Sequence, residues 1–275
     1  MNKKTTLSIK LVYLALIIGS LAMVLPFIWL IASTFKIDAE IVGGNPTFFP
    51  SQPTIENYIN MITQFNIGRY FFNSVFLSTV RTFIGVYTSL LCGYALAKFD
   101  FKFKNQVYAF ILITMMVPSF TTLIPMYNMV NQWGLNDSYL AIILPTLLSS
   151  FGIFMMRQYM IDGVPNELIE AAKIDGAGEF YIFHKIVVPQ CVNMISALSI
   201  FLFLWNWEDF LWPYLVLSSE SKFPLAVALS QFTGQNVTHY GQLFAATAVT
   251  IIPVIIVYLS FQKRFVEGVS MSGIK

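Results

Sequence analysis

Long apolar runs separated by short polar stretches dominate the chain. They lie near residues 11–32, 70–97, 106–130, 139–160, 191–217 and 241–262. A helix rises about 1.5 Å per residue and a hydrocarbon core is about 30 Å thick, so about 20 apolar residues make one crossing. The pattern predicts an all-α integral membrane protein of about six transmembrane helices, a single transmembrane domain over residues 1–275. The first run follows Lys3, Lys4 and Lys10, as a signal-peptide core would. It is longer than such a core, which has about 7–15 residues, and no small-x-small cleavage site follows it. It is read as a retained span.

The polar stretches set an orientation. With a cytoplasmic N-terminus, the inside segments hold Lys3, Lys4, Lys10, Lys98, Lys102, Lys104, Arg157, Lys173, Lys185, Lys263, Arg264 and Lys275, twelve of the 16 basic residues. The outside segments hold Lys36, Arg69 and Lys222, and Arg81 falls inside the second run. Basic residues concentrate on the cytoplasmic side of membrane proteins, so both termini are expected there. The outer stretch 33–69 contains Gly43-Gly44-Asn45-Pro46 and Pro50-Ser51-Gln52-Pro53, turn chemistry that predicts an irregular or short-helical excursion. Pro118, Pro125, Pro145 and Pro253 fall within predicted spans, where each removes a backbone donor and kinks the helix.

Composition agrees with a bilayer as solvent. Hydrophobic residues make up 56% and charged residues 11%, against about a quarter charged in soluble domains. A soluble core could not hide that much apolar surface. The net charge of +2 is scattered over loops, so there is no nucleic-acid footprint. Cys92 and Cys191 have neither disulfide-framework nor zinc-site spacing and read as small buried side chains. His184 and His239 have no ligand partner at metal spacing. There is no catalytic triad pattern and no G-x-x-x-x-G-K-[ST] phosphate loop, so no catalytic residue and no cofactor is assigned to this chain.

The inner segment 161–189 is the most informative. It reads Asp162-Gly163-Val164-Pro165-Asn166-Glu167-Leu168-Ile169-Glu170-Ala171-Ala172-Lys173-Ile174-Asp175-Gly176-Ala177. Pro165 suits a first helical turn, Glu167 and Glu170 suit the positive end of the helix dipole, and Gly176 suits a left-handed cap. This predicts a helix of about ten residues, too short to span. Leu168, Ala171 and Ala172 lie on one side of it at spacings of three and four. A second helix is expected to carry Phe180, Phe183, Ile186 and Val187 on one face, with Pro189 before the fifth span.

The string of Glu170, Ala171, Ala172, Asp175, Gly176 and Ala177, with a distal Ile186-x-x-Pro189, resembles the signature loop of binding-protein-dependent ABC importer permeases. Trp207-Glu208-Asp209-Phe210-Leu211-Trp212-Pro213 is similar to the W-N-D-F-L-W-P run of sugar-importer permeases, the smaller maltose-type subunit above all, with Glu208 where asparagine is usual. The end, Arg264 to Lys275, is similar to that subunit's tail. The resemblance implies a permease in a prokaryotic inner membrane, surrounded by lipid. It implies a second homologous permease, two cytoplasmic ATP-binding subunits holding ATP and magnesium, and an extracytoplasmic solute-binding protein that delivers a sugar. The short helix would be the coupling helix that docks on an ATPase subunit. Glu170 would meet a basic group there, and Ala171, Ala172 and Gly176 would allow close approach. Tail residues Ser270, Met271, Ser272 and Gly273 would reach between the ATPase subunits.

Arg81, Glu208 and Asp209 are the charges deepest in apolar runs, and intramembrane charges usually pair or face a cavity. Trp205, Trp207 and Trp212 offer aromatic faces either to sugar rings or to the membrane interface. With Glu208 and Asp209 they form a candidate substrate pathway. A secondary transporter or channel independent of an ATPase would instead carry relay charges in several spans and inverted repeats, neither of which is visible. A membrane enzyme would need clustered His or acidic residues at one membrane face.

Overall fold

The computed structural model describes residues 3–43, 47–232 and 239–273, the side chains of 3–8, 231 and 263–273 excepted. Four described helices are long and apolar enough to cross a membrane, and six if each of two sharply bent pairs counts as one span. No strand occurs among the described residues. The chain divides into two compact units, residues 1–68 with 229–252, and residues 69–228 with 253–275.

The first unit begins with α1 (Lys3–Ser33), whose apolar side chains are bare from residue 9 to residue 28, as at Leu21 and Met23. Bare apolar surface of that extent suits lipid rather than water. Two short helices follow, α2 (Asp38–Val42) and α3 (Glu56–Gln64). A buried polar knot ties α3 to the chain between α1 and α2. Asn57 Nδ2 donates to the carbonyls of Thr34 at 2.8 Å and Lys36 at 2.7 Å, and Lys36 Nζ donates to the Thr47 carbonyl at 2.5 Å. Lys36 is 1% exposed, so its cation depends on that carbonyl and on the face of Trp29.

The second unit is built on α4 (Ile67–Lys98), an unbroken helix of 32 residues. After it, α5 (Lys104–Met116) and α6 (Ser119–Gln132) are bent by 103° about Val117 and Pro118. The expected span 106–130 is thus two helices. A proline pushes the residue before it out of the helical region, and Val117 is extended, with φ −75° and ψ 120°. Then come α7 (Tyr139–Ile143), a single 3-10 turn at 144–146, and α8 (Ser150–Gly163). The inner segment holds α9 (Asn166–Ile174), α10 (Glu179–Ile182) and α11 (Val188–Gln190), with a π-helical turn between the last two. Next are α12 (Val192–Glu208) and α13 (Leu211–Val216). The expected span 191–217 is therefore interrupted at Asp209 and Phe210. Finally, α14 (Leu225–Leu229) precedes α15 (Tyr240–Gly273), which continues through Pro253.

Helices α4 and α8 approach through glycine. A Cβ on Gly93 would fall 2.7 Å from Met156 Cβ, and one on Gly152 would fall 2.2 Å from Ser89 Oγ. Small residues let helix backbones come this close in a bilayer, where close packing replaces the hydrophobic drive.

Outside the spans, Asp137 anchors the α6–α7 loop to the chain after α13. Its carboxylate accepts from the Ser218 and Ser219 amides at 3.0 and 2.9 Å and pairs with Lys222 Nζ at 2.9 Å. The Lys222 and Ser219 hydrogen bonds hold its carboxyl well below the usual carboxylate range.

Candidate functional site

The loop 161–189 holds a short helix pinned by one face to the rest of the second unit. Ile169 and Ala172 of α9 are buried with Val164, Ile182, Phe183 and Val187, in a cluster that includes Leu90 and Tyr94 of α4 and Met156 and Met160 of α8. The helix closes with two nested bonds, Ala177 N to the Ala172 carbonyl at 2.9 Å and Gly176 N to the Lys173 carbonyl at 3.0 Å. This is a Schellman ending, and Gly176 supplies its left-handed residue at φ +81°. A Cβ at Gly176 would meet nothing within 4 Å, so the requirement for glycine lies in the backbone within the chain.

Two ties that the sequence did not reveal fix the loop to α4. Lys98 Nζ donates to the Val164 carbonyl at 2.6 Å and to Asn166 Oδ1 at 2.8 Å, clamping the junction before α9. Tyr94 donates to Glu179 Oε2 at 3.2 Å, and Lys173 meets Glu179 Oε1 at 2.6 Å, clamping the junction after it. From sequence, Lys98 registers only as an orientation charge at the end of an apolar run.

The opposite face is open. Glu170, Ala171, Asp175 and Gly176 are exposed, together with Leu168, Ile174, Phe180 and Tyr181. Ala172 differs from expectation, because it points into the chain's own core and Ala177 is half-buried. Phe180 differs too. It is 76% exposed and its ring lies tilted against that of His184, 4.1 Å between centroids, rather than facing inward with Phe183. Both His184 ring nitrogens have neighbours, the Tyr87 hydroxyl at 3.3 Å and the Phe180 carbonyl at 2.9 Å. The backbone of α15 reaches Gly273, while the side chains of Ser270, Met271 and Ser272 lie outside the described residues.

The second site is a cleft of about 270 Å³ where α4 and α12 face the break between α7 and α8. The break exists because Pro145 sits in the 3-10 turn, and the helical ladder is interrupted until Ser149 caps α8 by accepting from Gly152 N at 3.1 Å. Thr88 of α4 satisfies the freed Leu147 carbonyl at 2.5 Å. Arg81 projects from α4, donating to Thr146 Oγ1 at 3.3 Å and pairing with Asp209 at 2.9 Å. Asn206 Nδ2 donates to Thr82 Oγ1 at 3.2 Å.

Of the three tryptophans, Trp205 alone lines this cleft, about half exposed. Trp207 is buried and stacked on Phe203, and Trp212 donates its indole N–H to the Ala141 carbonyl at 3.0 Å. Asp209 reaches the cleft through its partner Arg81, whereas Glu208 is exposed at the end of α12. Thr146 and Asn206 carry no signal in the sequence, because their neighbourhood depends on folding.

These features define a helical membrane protein with a short loop helix exposed on one face and a cleft beside a broken helix. The family described as "Binding-protein-dependent transport system inner membrane component" matches residues 85–271, and the chain belongs to that family. It is 34% identical over 259 residues to the arabinooligosaccharides transport system permease protein AraQ of Bacillus subtilis (strain 168), covering 93% of this chain and 92% of that protein. It is 32% identical over 256 residues to the lactose transport system permease protein LacG of Rhizobium radiobacter, covering 93% of each. Its fold resembles a chain in the crystal structure of a bacterial ABC transporter involved in import of the acidic polysaccharide alginate. The TM-score is 0.85 at 21% identity, over 96% of this chain and 99% of that one.

Proposed function

We propose that this permease is the membrane subunit of an ATP-driven importer that translocates a sugar or oligosaccharide. The observation that carries the reading is the α9 knob. It is rigidly held from behind, and it presents Glu170, Ala171, Asp175 and Gly176 with exposed Leu168 and Ile174 outside the spans. Apolar side chains left bare in water on a fixed scaffold suit a protein partner. A cytoplasmic ATP-binding subunit, with ATP and magnesium in its own site, fills that role. Two such subunits, a second homologous permease and an extracytoplasmic solute-binding protein complete the assembly. The tail at Ser270–Gly273 reaches the ATP-binding pair.

Residues 1–275 act as one transmembrane domain in a prokaryotic inner membrane, with loop 161–189, tail 263–275 and both termini cytoplasmic. The named substrates of AraQ and LacG support a sugar as cargo. Reporter fusions at Lys275 and near Gly44 test orientation, and a cytoplasmic signal from the Gly44 fusion overturns it. The cargo is tested by reconstituting the permease with the partners encoded beside it and measuring ATP-dependent uptake. The reading fails if the neighbouring binding protein captures amino acids or metal ions and ignores every sugar offered.

A further inference from the structure

The cleft has features of a built site. Irregular backbone at membrane depth survives only where it is buried in protein or lines a wet cavity, and broken helices mark substrate sites in several transporter folds. Here the break at 147–149 is stabilised by Thr88, Ser149 and the Arg81–Thr146 bond. Arg81 is 5% exposed, so its charge depends on its partner Asp209. After that pairing, Arg81 Nη1 and the Asn206 carboxamide oxygen have no hydrogen-bond partner among the described residues. The Nη1 N–H groups of Arg81 and the Asn206 carboxamide oxygen therefore remain for a ligand, and Trp205 supplies an apolar ring face beside them.

The charge balance is informative. Arg81 and Asp209 cancel, no second cation lines the cleft, and Glu208 adjoins Asp209 in sequence. The pair leaves the cleft without a net positive charge. At 270 Å³ the cleft falls just below the range for drug-sized ligands, about 300–1,000 Å³, which suits a single ring rather than a chain. Resting on the sugar-import reading, we propose that this cleft is a subsite for one uncharged sugar ring. Trp205 stacks on the ring, Arg81 and Asn206 hydrogen-bond its hydroxyls, and the Arg81–Asp209 balance excludes acidic sugars. A uronate would bring a carboxylate to a site whose one cation is already neutralised.

The test uses the full importer in proteoliposomes with its binding protein, offering maltose, lactose, arabinobiose and digalacturonate. For whichever neutral sugar is imported, Asn206→Ala and Trp205→Ala should each lower the rate per assembled complex by about tenfold at saturating binding protein. In binding-protein-free complexes in nanodiscs, Asp209→Asn, which leaves Arg81 unpaired, should raise digalacturonate affinity by about tenfold. The double change Arg81→Gln with Asp209→Asn should abolish that gain, which separates a charge effect from damage to the fold. Wild-type rates in both Asn206→Ala and Trp205→Ala overturn the subsite and leave the import reading intact. Preferred import of digalacturonate by the wild type, or no gain in affinity with Asp209→Asn, overturns the charge argument. A wild-type complex that imports none of these sugars and moves an amino acid or ion overturns the import reading itself.

Discussion

The 161–189 loop and the cleft beside the α7–α8 break solve opposite problems with the same few helices. The loop buries one face of a nine-residue helix and leaves the other bare, so its chemistry is an exposed surface on a fixed backing. The cleft is assembled from side chains of three separate segments, whose bonds join residues 65 and 128 positions apart. A change on the loop's open face should alter what docks there and leave the fold alone. A change around the cleft should disturb the fold and the site together. The difference separates an exposed surface from an assembled site, and substitutions can probe each.

The largest effect is expected at the α4–α8 seam beside the cleft. Gly152→Leu puts a branched side chain where a Cβ already falls 2.2 Å from Ser89 Oγ. Overpacking of this kind typically costs about 1–3 kcal/mol, and the Ser89 and Leu198 side chains both crowd the position. Folded protein in the membrane should fall sharply by fluorescence-detected gel filtration. Unchanged levels would show that the helices separate easily.

Gly176→Trp should do the reverse. No atom lies within 4 Å of its Cβ, so the cost within the chain is the left-handed backbone, about 1 kcal/mol. Membrane levels should hold while uptake and co-purification of the ATP-binding subunit collapse. Normal uptake would reduce the loop to a linker. Glu170→Lys should weaken the same co-purification through reversed charge and be partly relieved by salt.

Lys98→Met sharpens the comparison, because Lys98 belongs to α4 but acts on the loop. Losing its bonds to the Val164 carbonyl and Asn166 should cost about 1–3 kcal/mol of local order. Uptake per ATP hydrolysed should drop several-fold, with Lys98→Arg restoring most of it. Equal loss in both variants would point to a merely structural role.

The smallest effect is expected at Asp137→Asn, about 1 kcal/mol in thermal stability for a partly exposed pair. Because the native Asp137 carboxyl is held low, its contribution is present above the ordinary carboxylate range and is lost as pH falls through the lowered value. The difference between wild type and variant should be flat from about pH 5 to 8 and shrink below about pH 4. A difference that grows in acid would contradict the pairing.

The loop was legible because its determinants are contiguous. The string from Glu170 to Ala177 carries the cap, the turn and the open surface, and Gly176 adopts the backbone its position implied. Ala172 misled because helical spacing defines a side but not which side is covered. Phe180 misled because the π-helical turn at 183–187 breaks the regular 3.6-residue phase. Around the cleft, Trp205, Trp207 and Trp212 look equivalent in sequence. The break at Asp209 and Phe210 re-aims Trp212 onto the Ala141 carbonyl, and side-chain packing takes Trp207 away. Pro118 signalled a kink, but a bend of 103° also required Val117 to leave the helix.

The unbroken course of α4 has a mechanical consequence. Arg81 and Lys98 ride on the same hydrogen-bonded rod, about 25 Å apart along its axis. Bending that rod would break its backbone ladder, whereas Val117–Pro118 and residues 147–149 are already hinged. A push on the loop would therefore travel up α4 as stiff displacement, with the slack taken up where prolines have cut the neighbouring helices.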